Sequence, residues 1–195
     1  GRTSITSFPL LSYAAWTVGA STVTPYTVAG FARWAIQMDE SYDLAEQEHN
    51  YKRQAAETLR QARDQMRAGD PSWPTIFSEG LKRSGALLHV MFKDDGSRAV
   101  QADPDDWAGL LDEVWADPDP ESLDSLLEGL RARLPRAYPG SATSLGALLL
   151  MAADTENNAP YLTSRTERWY RLTDRPGPAD GSSPADRYRT FLNFL

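Results

Sequence analysis

Arginine is the functional side chain that this sequence gathers into clusters. Placed on a helix, Arg53, Arg60, Arg63 and Arg67 fall with Lys52 within roughly a 100° arc. A second group, Arg165, Arg168 and Arg171, interleaves with Trp169 and Tyr170. Guanidinium groups beside aromatic rings suit a phosphate backbone and stacked bases, so these seven arginines are candidate nucleic-acid contacts. The competing reading is a solvated face whose arginines pair with local acids, with Trp169 packed into the core beside Leu172.

Other chemistries find little support. The chain has no cysteine, which removes thiolate metal sites, disulfides and a cysteine nucleophile. Its two histidines, His49 and His89, are far apart. His49 lies near Glu46 and Glu48, but zinc needs three or four converging ligands, so it reads as a polar residue on a helix flank. His89, within Leu87-Leu88-His89-Val90-Met91, reads as a satisfied core or strand histidine. Neither G-x-x-x-x-G-K-[ST], G-x-G-x-x-G nor G-x-S-x-G occurs. Clustered acids such as Asp103, Asp105, Asp106, Asp119 and Glu121 could suggest a hydrolytic or magnesium site, yet helix caps and first-turn acids account for them. The expectation is a chain with no catalytic machinery, metal or cofactor of its own.

Charge is unevenly spread over the 195 residues and their net −7. Residues 94–128 carry twelve acids against Arg98 alone, whereas residues 131–195 carry nine arginines against six acids. Such asymmetry permits a basic face on an acidic protein. No apolar run approaches the ~20 residues that span a bilayer, and Phe8 to Val18 lacks the pattern of a secretory signal. A cysteine-free chain of this kind is expected in the cytoplasm.

The elements that must position these side chains are helical. Residues 1–25 hold no period and are expected to be irregular; residues 26–195 are expected to form one all-α, multi-helix domain with at most a small β-hairpin. A first helix runs from Thr24-Pro25 through Val28, Phe31, Ala35 and Ile36 to Met38. The clearest one spans Leu44 to Ala68 and is closed by Gly69, with Leu44, Tyr51, Ala55, Leu59, Ala62 and Met66 on one arc. On its other side Glu57 precedes Arg60, and Asp64 precedes Arg67, at pairing distance. Asp70-Pro71, Asp103-Pro104 and Asp119-Pro120 each place a capping carboxylate before a proline, starting helices at Trp73–Lys82, Asp105–Trp115 and Glu121–Leu134. The stretch Ala86 to Gln101, with Lys93-Asp94-Asp95-Gly96-Ser97 as its turn, is the candidate hairpin. Leu145 to Ala153 is apolar all round and predicts a central buried helix. Ser164 with Glu167 and Ser183 with Asp186 mark two further helix starts. The core is expected around Tyr51, Leu59, Leu126, Leu130, Leu148, Leu149 and Trp169.

A series of short segments, in order, resembles a known family. They are Asp43-x-x-Glu46-x-Glu48-x-x-Tyr51-Lys52, Ala68-Gly69-Asp70-Pro71-x-Trp73, Leu134-Pro135, Pro139-Gly140, Leu148-Leu149-Leu150-Met151-Ala152-x-Asp154, Ala159-Pro160-Tyr161, Tyr170-Arg171-Leu172-Thr173 and Tyr188-x-x-Phe191-Leu192-x-Phe194-Leu195. As a set they resemble the N-terminal region of actinobacterial McrB-like proteins, AAA+ GTPases of modification-dependent restriction systems. The chain departs from that pattern at Gly85-Ala86-Leu87-Leu88-His89, where relatives have an asparagine-rich turn followed by tryptophan, and at Ala159-Pro160-Tyr161-Leu162, where they have two prolines and Tyr-Arg. The resemblance implies a non-catalytic target-recognition domain of a phage-defence protein, contacting DNA or modified DNA. It further implies an AAA+ motor downstream in the same polypeptide and an McrC-like nuclease reached through that motor. The alternative is a protein-interaction, sensor or oligomer-positioning domain of the same protein. The apolar face of the last helix, Tyr188, Phe191, Leu192 and Leu195, runs to the final residue, which fits the expectation of a longer polypeptide.

Overall fold

The computed structural model describes residues 50–195 apart from Asp117, Ala137, Pro139 and Asp174. The irregular segment 1–25, the helix expected up to Met38, and residues 44–49 of the long helix, His49 included, lie outside the described residues. Eight α-helices follow one another: α1 Asn50–Arg67, α2 Trp73–Arg83, α3 Val90–Ala102, α4 Pro104–Trp115, α5 Pro120–Arg133, α6 Ser141–Ala153, α7 Thr163–Thr173 and α8 Pro184–Phe194. The described residues contain no strand, and the fold is all-α.

Local chemistry starts most of these helices. Asp103 caps α4 by accepting from the Asp106 N–H at 3.2 Å, and Asp119 caps α5 by accepting from Glu121 and Ser122 at 2.8 and 2.9 Å. Those hydrogen bonds, led by the Ser122 N–H, hold the Asp119 carboxyl below its usual pKa. Ser183 caps α8, accepting from the Asp186 N–H at 3.1 Å. Two starts differ from the sequence reading. Asp70 accepts from the Ser72 N–H at 2.8 Å and so closes a turn, while Ser72 itself precedes the first helical residue of α2. α7 begins at Thr163, which puts Ser164 inside its first turn.

α6 is the centre of the molecule. Every residue from Ser141 to Ala152 is buried, and α1, α4, α5 and α8 pack around it. A helix enclosed in this way needs apolar side chains on every face, which Leu145, Leu148, Leu149, Leu150 and Met151 supply. Gly146 lets α5 approach, since a Cβ there would lie 2.3 Å from Leu127 Cδ2. Leu59, Leu126, Leu130, Leu148, Leu149 and Trp169 are core residues, as expected, whereas Tyr51 is half-buried at the margin. Trp169 stacks on Phe191 of α8 at 5.6 Å, and Tyr161 meets Phe191 edge-on at 5.4 Å. Tyr188 donates to the Ala159 carbonyl at 3.0 Å, and its burial raises the phenol pKa above the ordinary range.

The expected hairpin is a helix. Gly85–Leu87 forms a short 3-10 turn, Leu88 and His89 are extended, and α3 then runs through Lys93-Asp94-Asp95-Gly96-Ser97 without a break. Two long-range contacts override the turn signal. Asp95, 2% exposed, is held by Arg136 through bonds of 2.8 and 2.6 Å and by Arg98 at 3.1 Å. Gly96 faces α2, where a Cβ would come within 3.2 Å of Leu81 Cδ1. An acid and a glycine that look like loop residues are thus a buried ion pair and a packing notch.

Candidate functional site at the α6 and α7 starts

The arginines of α1 are largely engaged within the molecule. Arg60 does not reach Glu57; its Nη1 donates to the Ala152 carbonyl at 2.9 Å, at the C-terminal end of α6 where a cation is favoured. Arg67 pairs across to Asp112 on α4 at 2.6 Å, and it is Arg63 that bonds Asp64, at 3.1 Å. Arg53 stands exposed with no partner among the described residues. The stripe therefore ties α1 to α6 and α4.

The α7 cluster is split in another way. Trp169 and Tyr170 are only 3% and 6% exposed, so the aromatics interleaved with these arginines point into the core and offer no stacking surface. Tyr170 meets Phe194 edge-on at 5.3 Å, and burial pushes its phenol up to about 12. Arg171 is exposed, its Nε donating to the Glu167 carbonyl at 3.4 Å, while Arg165 and Arg168 are half-buried. The two clusters sit on different packing partners: α1 leans on α2, α6 and α4, and α7 joins α8 through Trp169.

Arg165 opens onto a cleft of about 450 Å³ that the linear sequence did not reveal. Its walls include Ala86, His89, Phe92, Gly140, Ser144 and Thr163, with Ser164, Arg165 and Glu167 beyond. Two of these residues, His89 and Phe92, begin an aromatic ladder that runs on beyond the cleft. His89 lies 5.5 Å from Phe92, Phe92 lies 5.9 Å from Tyr138, and the Arg136 guanidinium covers Tyr138 at 5.7 Å. Tyr138 is exposed at the end of this ladder. His89 is not a core histidine. It is exposed and caps α3, its Nδ1 accepting from the Met91 N–H at 3.3 Å, which assigns the proton of the neutral ring to Nε2. Lys93 holds the 3-10 turn in place through the Gly85 carbonyl, and the Asp95 pair fixes Arg136. The Arg136 guanidinium, by donating to Asp95, keeps that carboxyl below its ordinary pKa.

Two helix starts supply more of the lining. Gly140 precedes α6 with φ +80°, and a Cβ there would lie 2.4 Å from Thr163 Oγ1, so only glycine allows α7 to begin against α6. Leu162 precedes α7, its carbonyl accepting from Arg165 and Thr166 at 3.0 and 2.9 Å. Neither helix has an acid in its first turn, whereas α4, α5 and α8 all do. α1, α2 and α3 lack first-turn acids as well, so no signal in the sequence singled this place out.

This arrangement can stack a planar group on one side and attract an anion on the other. Among the described residues no hydrogen bond joins His89 to Ser144, Ser164 or Glu167, and no group of three histidine, aspartate or glutamate side chains is placed to hold a metal ion. No described helix is long and apolar enough to cross a membrane. Comparison with protein-family models, with characterised proteins and with solved structures finds no match to this chain.

Proposed function

We propose that this chain is the non-catalytic target-recognition domain of an McrB-like restriction protein, and that it contacts DNA, modified DNA included, through the cleft and the Arg165, Arg168 and Arg171 face. The observation that carries the reading is that exposed His89 and half-buried Phe92, at the head of a ladder reaching Tyr138, line one cleft with Gly140, Thr163 and Arg165. Stacking is tolerant of base identity, and cations with backbone N–H groups hold phosphates, so one cleft offers both halves of a nucleotide contact. The α1 stripe takes little part, because Arg60 and Arg67 tie α1 to α6 and α4 and lie away from the cleft lining. The motor and its McrC-like nuclease would act downstream of this recognition step.

The test is duplex binding by fluorescence anisotropy, with methylated and unmethylated probes at two salt concentrations. Affinity should fall steeply with salt, with a log–log slope of about −0.9 per phosphate contacted. Reversing Arg165, Arg168 and Arg171 together to glutamate should abolish binding while moving the melting temperature little. Unchanged affinity in that variant would refute the assignment.

A second reading, a protein-interaction or positioning domain, is favoured by one feature. The exposed acids Asp105, Glu113 and Glu121, with Glu128 paired to Arg131, leave α4 and α5 predominantly acidic, which repels phosphate and suits a basic protein partner. Absence of nucleic-acid binding at low salt, with charge reversal on α4 and α5 disrupting assembly of the full-length protein, would select it.

A further inference from the structure

Among the described residues two large apolar side chains stand out into solvent, Val90 at 61% exposure and Tyr138 at 38%. Both flank the aromatic ladder: Val90 follows His89 at the start of α3, and Tyr138 lies 5.9 Å from Phe92. Apolar surface left in water is unfavourable, and its confinement to one place marks a surface that something else covers. The ladder also joins the cleft to a second one of about 450 Å³, lined by Asp95, Arg98 and Ala102 of α3 with Pro135 and Arg136. Arg136 lines this second cleft and covers Tyr138, and Tyr138 stands against Phe92, which lines the first. From Phe92 to Ala102 is about 15 Å along the helix axis, the length of about four bases stacked at ~3.4 Å each.

Asp95 sets the charge of this surface. Its buried carboxylate accepts from Arg136 at 2.8 and 2.6 Å and from Arg98 at 3.1 Å, so one negative charge fixes two positive ones and leaves a cation in excess. Both guanidiniums are held before any ligand arrives, which lowers the ordering cost of meeting an anion. Arg165 and Glu167 offset one another in the first cleft, as Lys93 and Asp94 do on α3, so the excess lies with Arg98 and Arg136.

We infer that the surface along α3 is a track for an unpaired DNA strand, with bases stacked on the His89, Phe92 and Tyr138 ladder and phosphates against Arg98 and Arg136. The ligand that fits alternates planar rings with negative charge, as such a strand does. In a duplex each base face is already stacked on its neighbours, whereas an unpaired base can be splayed onto a side-chain ring. The inference deepens the reading above and rests on it for the ligand being DNA.

The experiment is fluorescence anisotropy with the full chain, comparing a labelled oligothymidylate, a hairpin duplex of matching length and an abasic strand with the same phosphates. The oligothymidylate should bind about tenfold more tightly than either of the others, the scale of one stacked base. Tyr138→Ala should weaken single-strand binding by about tenfold at an unchanged melting temperature, and Tyr138→Phe should bind as the parent does. Arg98→Gln, at a side chain 69% exposed, should lower the log–log salt slope by about 0.7, the share of one phosphate on a single strand. A Tyr138→Ala variant without loss, an abasic strand that binds as well, or an unchanged salt slope in Arg98→Gln would overturn the track. Poly-glutamate that displaces the strand at equal charge would overturn it too, and would make this surface a docking face for an acidic protein. If the duplex binds as tightly as the single strand or more so, the DNA reading stands and the track falls. If the single strand binds through Tyr138 while reversal of Arg165, Arg168 and Arg171 leaves its affinity unchanged, the track stands and the α7 face falls. Absence of binding by both nucleic acids at low salt overturns the two together.

Discussion

Replacing Asp95 by asparagine tests whether the ion pair, and not helix propensity, holds α3 in its place. The carboxylate is 2% exposed and receives three charge-assisted bonds, two from Arg136 and one from Arg98. Breaking a deeply buried pair costs about 3–5 kcal/mol, because a charge is left uncompensated in the interior. That figure is too large for this site. The Arg136 and Arg98 side chains are themselves 42% and 69% exposed, so each turns to water once released. What remains is the loss of hydrogen bonds to a charged acceptor, partly replaced by the amide oxygen, and an expected cost of about 2 kcal/mol. Arg136 holds the Asp95 carboxyl below its ordinary pKa, so the group binds more protons in the unfolded chain. The stability it adds is therefore complete above the unfolded value near pH 4 and is lost as the pH falls through the folded one. Urea denaturation of the parent and Asp95→Asn should show the full gap at pH 7 and pH 5 and a smaller one at pH 3.5. Asp94→Asn, an exposed neighbour with no side-chain hydrogen bond among the described residues and only a charge interaction with Lys93, is the control and should change stability little. A gap under about 0.5 kcal/mol at pH 7, within the range of ordinary surface substitutions, or a gap independent of pH, would refute the argument.

Two further outcomes test the packing around α6. Leu149→Ala should cost about 2–5 kcal/mol and fall in the upper half of that range, since Leu149 is fully buried in a helix enclosed by four others and the cavity has little room to collapse; denaturant midpoints measure it, and a loss below about 1 kcal/mol would contradict the enclosure. Gly146→Ala and Gly109→Ala should move thermal melting in opposite directions. The first forces a Cβ to 2.3 Å from Leu127 Cδ2, while the second meets nothing within 4 Å and gains helix propensity on an exposed face. Equal shifts of the same sign would show that the α5 to α6 contact is looser than described.

What the sequence determined by itself is whatever depends on neighbours in the chain. The caps at Asp103, Asp119 and Ser183 act over three residues, and their side chains meet backbone N–H groups that the same turn supplies. Periodicity identified the buried side of α1, and the unbroken apolar run Leu148 to Ala152 announced the central helix, because a segment without a polar face has nowhere to go but inside. Tertiary structure decided the remainder, wherever a residue's meaning depends on a partner far along the chain. Asp95 and Gly96 look like a turn until Arg136, 41 residues from Asp95, and Leu81 are placed against them. Arg60 and Arg67 look like a free basic stripe until α6 presents the Ala152 carbonyl, 92 residues from Arg60, and α4 presents Asp112. His89 with Phe92, Tyr138 with the start of α6, and the start of α7 come from three separate stretches of sequence, and only packing brings them together. Local hydrogen bonds cost little loop entropy and can be read from spacing, whereas a long-range contact exists only once the cooperative core has brought its two ends together.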